Sequence, residues 1–203
     1  MPAAPDSGEP AGPASVSRGD AQALCALARA SIRHGLDTGE PWPVDLGDVP
    51  EALSAPGASF VTLQLGGKLR GCVGSFEAYR PLALDVSHNA YAAAFRDPRF
   101  PPLSHAEFSR LELHLSLLGP PVPLEVSSQQ ELLAILRPGV DGLILEDGGR
   151  RALFLPQVWE QLPEPVEFVT HLKLKAGLHP EHWSPRMRCW RFVVDEIGEE
   201  VAG

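Results

Sequence analysis

The stretch FVTLQLGGKLRGCVGSF, residues 60–76, predicts two antiparallel strands that carry a cysteine close to a cation. Its first part is rich in β-forming residues, Gly66-Gly67 suits a two-residue hairpin turn, and the second part returns along the first. Successive side chains of a strand point to opposite faces. A tight turn therefore places Arg70 and Cys72 on the face of the apolar residues Val61, Leu63 and Leu65.

Cys72 is the strongest candidate for chemistry in this chain. The thiolate is the reactive form of cysteine, and a guanidinium such as that of Arg70 stabilises it. Gly71 and Gly74 remove side-chain bulk, so another backbone or a small ligand can come close to the thiol. The opposite interpretation is an inert cysteine buried on the apolar side of the hairpin, and the local pattern alone favours it.

A nucleophilic cysteine also needs a base, and no local motif supplies one. His171, on a helix predicted over residues 165–176, is one candidate, although a boundary histidine is the simpler interpretation. Glu112 and His114 lie on the polar face of an alternating strand, a face that is more often simply solvated. Arg151 follows a second glycine turn, where it either decorates a hairpin or binds an anionic group.

The composition is that of an ordinary globular protein with an acidic surface. The chain has 203 residues, of which 44% are hydrophobic and 21% charged, and a formal net charge of −9. An acidic chain lacks the cationic surface that replaces phosphate counterions, which argues against nucleic-acid binding. No run is long and apolar enough for a bilayer, and the first residues lack a signal pattern. We therefore expect a cytoplasmic protein without membrane contact.

The cysteines do not predict a disulfide framework, because the chain has only three of them, Cys25, Cys72 and Cys189. Cys25 lies on an apolar helical stripe, where a small core residue is the simpler interpretation. There is no Cys-x-x-Cys pair and no Cys/His cluster with zinc spacing, and His179 and His182 have no further ligand at a matching distance. The sequence therefore predicts neither a metal site nor a cofactor.

The pattern of elements favours an α+β fold. Residues 1–16 are mostly Pro, Ala, Gly and Ser and predict a disordered tail. Ser17 predicts the cap of a helix that ends near Gly35. Further helices are predicted at 82–95, 128–136 and 165–176, and strands at 60–65, 68–73, 111–117, 142–146, 151–155 and 190–194. Two of the strand pairs have the form of antiparallel hairpins, which argues against a parallel doubly wound sheet.

Residues 69–76, LRGCVGSF, resemble the signature of the AMMECR domain family. The segment HLKLKAGL at 171–178 is similar to its bacterial branch, AmmeMemoRadiSam system protein A. Other segments that resemble the family follow in the same order, FRDPRFPPL at 95–103, DGLIL at 141–145 and ALFLPQVW at 152–159. The resemblance covers roughly residues 20–195.

The resemblance implies a fold of two packed lobes over residues 17–203, with a largely antiparallel sheet flanked by helices and a smaller second lobe. It also implies that the signature lies in a cleft between the lobes, as the active site. The signature residues that carry over are Arg70, Gly71, Cys72 and Gly74. The implied partners are a Memo-like protein and a radical-SAM protein, and no particular reaction is implied.

Two functions stay open at this point. The first is an enzyme, or an enzyme component, in which Cys72 is a nucleophile or a redox or radical thiol acting on a small substrate. Arg70 would stabilise the thiolate or hold an anion, and His171 or Glu112 would act as acid or base. The second is a non-catalytic binding or regulatory module whose groove holds a partner protein or a ligand. A metal site built from Cys72, His171 and Glu112 is a third idea, which the spacing does not support.

Overall fold

The computed structural model describes residues 16–198, which form helices and two antiparallel sheets. This is the α+β fold that the sequence predicts. The described residues divide into a larger unit, residues 16–118 with 195–198, and a smaller unit, residues 119–194.

Within residues 16–198, the elements do not follow the regular βαβ order of a parallel sheet. The helices are α1 (Arg18–Thr38), α2 (Glu51–Ser54), α3 (Leu82–Phe95), α4 (His105–Phe108), α5 (Gln129–Ile135) and α6 (Pro165–Lys175). The strands are β1 (Pro56–Leu65), β2 (Lys68–Gly74), β3 (Arg80–Pro81), β4 (Leu111–Leu118), β5 (Val122–Leu124), β6 (Gly142–Asp147), β7 (Arg150–Phe154), β8 (Arg188–Phe192) and β9 (Val194–Gly198). Short 3-10 turns cover Leu46–Asp48 and Pro156–Glu160.

The larger unit is built on a sheet in the order β2-β1-β4-β9, with the short β3 paired to the start of β1. The helices α1 and α3 pack together and against this sheet. The apolar side chains of the strands form a core with them, and the most buried, at most 1% exposed, include Val61, Leu63, Leu113 and Leu115. Burial of this face decides which side chains of each strand point away from the helices.

The predicted hairpin forms, but its register differs from the prediction by one residue. The strands β1 and β2 turn at Gly66-Gly67 as expected. Further along, Cys72 lies opposite Thr62 and not opposite Val61, because Arg70 is an extra residue that forms a β-bulge. One extra residue moves the following side chains to the other face. The prediction that Cys72 shares a face with the apolar residues of β1 is therefore wrong.

The helix α1 is longer than predicted. Its N-terminal cap is Ser17, as the sequence indicates, and the Ser17 side chain accepts a hydrogen bond from the backbone of Asp20. The helix continues through Gly35 and ends at Gly39, which has a left-handed φ of 81°. Gly35 serves packing and does not end the helix, because a Cβ there would lie 2.5 Å from the Phe95 ring.

The smaller unit holds a second antiparallel sheet, in the order β5-β8-β6-β7. The predicted hairpin forms between β6 and β7, with Asp147 paired to Arg150 beside the glycine turn. Apolar residues of α5, α6 and the sheet surround the stacked rings of Trp159 and Phe168, whose centroids are 3.7 Å apart. This unit therefore has a hydrophobic core of its own.

The predicted last strand over residues 190–194 is divided between two strands. β8 ends at Phe192, and β9 begins at Val194 and pairs with β4 in the other sheet. Between them, the carbonyl of Val193 accepts a hydrogen bond from the Gly119 backbone. Alternation continues across the break, so the sequence pattern does not reveal it.

The tail, the two-lobed domain and the absence of membrane contact are expectations about the chain as a whole. The predicted tail, residues 1–16, lies outside the described residues apart from Val16. The single two-lobed domain over residues 17–203 stays a prediction. Among the described helices, none has the length and apolar character needed to cross a membrane.

The substitution Gly71→Ala should destabilise the protein strongly. A Cβ at this position would lie 2.1 Å from the backbone carbonyl oxygen of Ala93, so β2 and α3 would have to separate. Overpacking of this kind costs about 3 kcal/mol. Urea denaturation of the purified variant measures the loss in the free energy of unfolding.

The matched control is Gly19→Ala in α1, where the nearest atom to a new Cβ is the Ser17 hydroxyl at 3.8 Å. Alanine in a helix is about 1 kcal/mol better than glycine, so this variant should be as stable as the parent or more so. Equal losses in the two variants would contradict the close approach of β2 and α3.

Candidate functional site

The backbone of Cys72 is held by side chains at the free edge of the first sheet. β2 is the outermost strand, and Cys72 lies where its amide and carbonyl point away from β1. The Cys72 N–H donates to the Asp97 carboxylate at 2.9 Å, and its carbonyl accepts from Arg99 Nη2 at 3.3 Å. The two side chains thus take the place of a neighbouring strand at this residue.

Asp97 and Arg99 form a two-pronged ion pair. The guanidinium donates from Nε to Oδ1 at 2.9 Å and from Nη2 to Oδ2 at 2.7 Å, while Asp97 is only 5% exposed. The Arg99 side chain and the backbone amides of Cys72 and Arg99 lower the pKa of Asp97 far below the ordinary carboxyl value, against the opposing effect of burial. The carboxylate is therefore charged at neutral pH.

Cys72 is half-buried, and its thiol has a hydroxyl beside it. The Thr62 hydroxyl donates to the sulfur at 3.4 Å. The hydrogen bond with Asp97 raises the pKa of Arg99, and the nearby Cys72 thiol adds to that effect. The cation bonded to Cys72 is thus Arg99, which is distant in sequence and donates to the Cys72 carbonyl.

Cys72, Thr62 and His114 form a row across three strands, which we call the polar row. Thr62 pairs with Cys72 on one side and with His114 on the other, so all three side chains share the face opposite the core. Neighbouring strands are about 4.8 Å apart, which places His114 about 10 Å from Cys72 between Cα atoms. Glu112 lies on the same face, and its carboxylate accepts from the Gly67 amide at 3.3 Å.

The strand β9 adds a second acid to this face. The Ser116 hydroxyl donates to the Glu196 carboxylate at 3.0 Å. Burial raises the pKa of Glu196 above its ordinary value, against the opposing effect of the Ser116 hydrogen bond. A thiol, a hydroxyl, an imidazole and a carboxylate therefore follow one another across β2, β1, β4 and β9.

Glu112 and His114 also line a cavity of about 840 Å³ between α1 and the start of β4. The helix contributes Cys25 and Arg29 to its wall. Among the described residues that line it, Cys72 is not included. The cavity therefore opens beside the His114 end of the polar row, and β1 lies between it and the thiol.

Arg70 has a structural position that the sequence did not indicate. Its guanidinium donates to Glu107 at 2.8 and 3.3 Å and to the Pro101 carbonyl at 2.9 Å. The hydrogen bonds from Arg70 and Ser104 lower the pKa of Glu107 to about 2. The bulge therefore directs Arg70 to the α4 region, and its expected roles at the thiol and in substrate binding stay predictions.

The glycines of the signature have a packing reason. Besides the contact of Gly71 with α3 described above, a Cβ at Gly74 would lie 2.3 Å from the Phe60 ring and 2.6 Å from the Ser59 carbonyl. These contacts explain both glycines without a ligand. Their assignment to substrate binding stays a prediction.

A buried polar network fixes the end of the signature to α3. Asp85, fully buried, accepts hydrogen bonds from the side chains of Ser59, Ser75, Arg80 and Asn89. The Ser59 backbone also donates to Asp85, at 2.8 Å. Because every lone pair of the buried carboxylate has a donor, the loop that follows Gly74 leaves the sheet in one direction.

The remaining predicted site residues belong to the smaller unit. His171 is exposed on α6. Arg151 is exposed on β7, with its Nε 3.9 Å from Glu146 and its guanidinium 5.9 Å from the Trp190 ring. Arg151 thus has the hairpin position that the simpler interpretation gave it. Its role in anion binding and the role of His171 as a base stay predictions.

Among residues 16–198, no group of three or more His, Cys, Asp or Glu side chains is arranged so that it could hold a metal ion. The arrangement around Cys72 consists instead of hydrogen-bond donors and one ion pair.

Sequence reasoning missed Thr62, Asp97 and Arg99. Asp97 and Arg99 stand in the FRDPRFPPL segment, which marked the family resemblance but gave no hint of contact with the thiol. The available signal was the pair of charges on either side of Pro98 just after a helix. The contact of Thr62 with Cys72 could not be predicted, because a hairpin without a bulge places Val61 opposite Cys72.

The chain belongs to the AMMECR1 family, whose model matches residues 25–197. It is 38% identical over 189 residues to a protein of Methanothermobacter thermautotrophicus, with 92% of this chain and 98% of that protein covered. A protein of Thermotoga maritima is 41% identical over 150 residues, with 72% and 81% covered. The crystal structure of uncharacterized protein PH0010 from Pyrococcus horikoshii has a TM-score of 0.80 and 32% identity, with 89% of this chain and 92% of that chain covered.

The substitution Asp97→Asn should reduce stability at neutral pH and matter less in acid. The charged carboxylate accepts from Arg99 and from Cys72, and hydrogen bonds of this kind contribute about 2 kcal/mol. A carboxyl group whose folded pKa is lowered stabilises the fold above its ordinary pKa of 3.8, and this contribution is lost as the pH falls below that value. Urea denaturation at pH 7, 5, 4 and 3 measures the free energy of unfolding of the parent and of Asp97→Asn.

The control is Asp48→Asn, at an exposed aspartate. Its stability should follow that of the parent at every pH. If the loss in the free energy of unfolding caused by Asp97→Asn stays the same from pH 7 to pH 3, the charge of Asp97 is not what holds Cys72.

Proposed function

We propose that this protein is an enzyme, or the thiol-bearing component of one, that uses Cys72 as a nucleophile or redox thiol on a small substrate. The observation that carries the proposal is the position of the Cys72 sulfur on the polar face of the sheet. There it accepts from the Thr62 hydroxyl, while the Arg99 guanidinium donates to the backbone carbonyl of the same residue. An inert cysteine of the apolar core, the simpler interpretation from the sequence, would lie on the opposite face.

The surroundings of Cys72 hold its backbone in place and put a hydroxyl donor on its sulfur. A hydroxyl donor and a fixed cation both stabilise negative charge on sulfur. The backbone of Cys72 is bonded on one side to Asp97 and Arg99 and lies against β1 on the other. Such a thiolate needs little rearrangement when it reacts, which is what an electrostatically preorganised site provides.

His114 is the base that we favour in the larger unit. It lies in the polar row with Cys72, and Thr62 stands between them. In the nucleophilic form of the reaction, the thiol proton passes to the imidazole through a water molecule and sulfur bonds to the electrophilic atom. The imidazolium then returns the proton to the leaving group. Glu112 and His171, the bases favoured from the sequence, are the alternatives.

We also propose the bacterial AmmeMemoRadiSam system as the setting of this chemistry, with a Memo-like protein and a radical-SAM protein as partners. The segment HLKLKAGL at residues 171–178 supports this branch of the family. Three large apolar side chains within seven residues of Cys72 along the chain are 44–66% exposed and are available for docking, Leu69, Phe76 and Tyr79.

The same exposed side chains favour a second candidate function, a binding module without chemistry. In that case the signature glycines serve packing alone, as their contacts with Ala93 and Phe60 allow. The two functions differ in what Cys72→Ser does. If the variant folds, binds both partners and still supports the output of the pathway, the protein is a binding module.

The thiol of Cys72 should react faster than an ordinary thiol at neutral pH. Alkylation by iodoacetamide, followed at the Cys72 peptide by mass spectrometry, should be about tenfold faster at pH 7 than alkylation of glutathione. The isosteric substitution Thr62→Val should slow it about threefold, because the hydroxyl that donates to sulfur is lost.

The matched control is Thr38→Val at the end of α1, which removes a hydroxyl bonded to the His34 carbonyl and should leave the rate unchanged. A Cys72 rate that rises only above about pH 8, as for an unperturbed cysteine, would count decisively against an activated thiol.

A further inference from the structure

Arg99 is held in one orientation by three different contacts. It forms the two-pronged pair with Asp97, its Nη2 donates to the Cys72 carbonyl, and its guanidinium carbon lies 5.6 Å from the centre of the Phe100 ring. A guanidinium that is fixed in advance loses little side-chain entropy when it binds a further group.

One edge of this guanidinium makes no hydrogen bond with the described residues. The contacts with Asp97 and Cys72 use Nε and Nη2, and among the described residues no hydrogen bond from Nη1 is found. The Arg99 side chain is 54% exposed, so this edge is accessible to solvent. The carboxylate of Asp97 has no oxygen without a donor, because each oxygen accepts two hydrogen bonds from Cys72 or Arg99.

The remaining edge lies close to the backbone of Cys72. Nη1 and Nη2 share one carbon, and Nη2 is 3.3 Å from the Cys72 carbonyl. An oxyanion that accepts from Nη1 at about 2.8 Å is therefore within the span of one small molecule from the sulfur. In contrast, Arg70 is buried and paired with Glu107.

We infer that Arg99 is the residue that binds the substrate, and that the substrate of Cys72 is a small molecule with an oxyanion group, a carboxylate or a phosphate. The inference rests on the proposed function and adds the class of substrate to it. The oxyanion accepts hydrogen bonds from the outer edge of Arg99, and the electrophilic atom of the same molecule is presented to Cys72. The ion pair between Asp97 and Arg99 then has two effects, because it holds Cys72 in place and also fixes the edge of Arg99 that binds the anion.

The test compares two alkylating reagents of nearly equal size, iodoacetate and iodoacetamide. In both reactions the thiolate forms a bond to carbon and iodide leaves, so the fraction of thiolate cancels in the ratio of the two rates. The rate of alkylation of Cys72 by iodoacetate, divided by its rate with iodoacetamide, should be about fivefold higher than the same ratio for glutathione. This rate ratio should fall as salt is added, because salt screens the attraction between the cation and the anionic reagent.

In Arg99→Gln the ratio should drop to the value for glutathione, while Arg99→Lys should retain most of it. The matched control is Arg96→Gln, three residues earlier, where an exposed arginine with a long contact to Tyr91 is lost and the ratio should stay unchanged. The measurement on the parent protein needs no variant, so it decides the question even if a variant does not fold.

A parent ratio equal to that of glutathione, or a ratio that Arg99→Gln does not alter, overturns the assignment of Arg99. A slow reaction with both reagents and a high ratio keeps the oxyanion site but contradicts the activated thiol. Absence of alkylation at Cys72 by either reagent contradicts both proposals.

Discussion

The hydrogen bond between the Cys72 amide and the Asp97 carboxylate is the interaction on which the candidate site depends. It joins the outermost strand of the first sheet to the segment that follows α3, and Arg99 completes the contact through the Cys72 carbonyl. An edge strand normally leaves its outward amides to solvent or to another chain. Here the Asp97–Arg99 ion pair satisfies them at one residue, and that residue carries the thiol.

The two faces of the first sheet are put to different use. One face is covered by α1 and α3 with side chains such as Leu63 and Leu115, and its burial fixes the alternation of every strand. The other face collects the polar row of Cys72, Thr62 and His114. Because the first face is closed by packing, the second is free to hold groups that a core could not accommodate, and the proposed chemistry takes place there.

Much of the fold was predictable, and part of the site was. The hairpin at Gly66-Gly67, the helix α3 and the Ser17 cap follow from local rules of turns, periodicity and capping. The bulge at Arg70 does not, because nothing in the strand pattern marks one residue as extra. The end of α1 was also missed, since Gly35 serves contact with Phe95 and only the packed helices show that.

The sequence by itself determined that this is an α+β protein of the AMMECR1 family and that Cys72 is the residue to examine, because hairpins, amphipathic periods and short motifs are local patterns. Only the tertiary structure decided which face Cys72 occupies and which cation lies beside it. The first depends on a one-residue bulge that reverses every later side chain. The second depends on Asp97 and Arg99, which are 25 and 27 positions away along the chain and meet Cys72 only once α3 has packed onto the sheet.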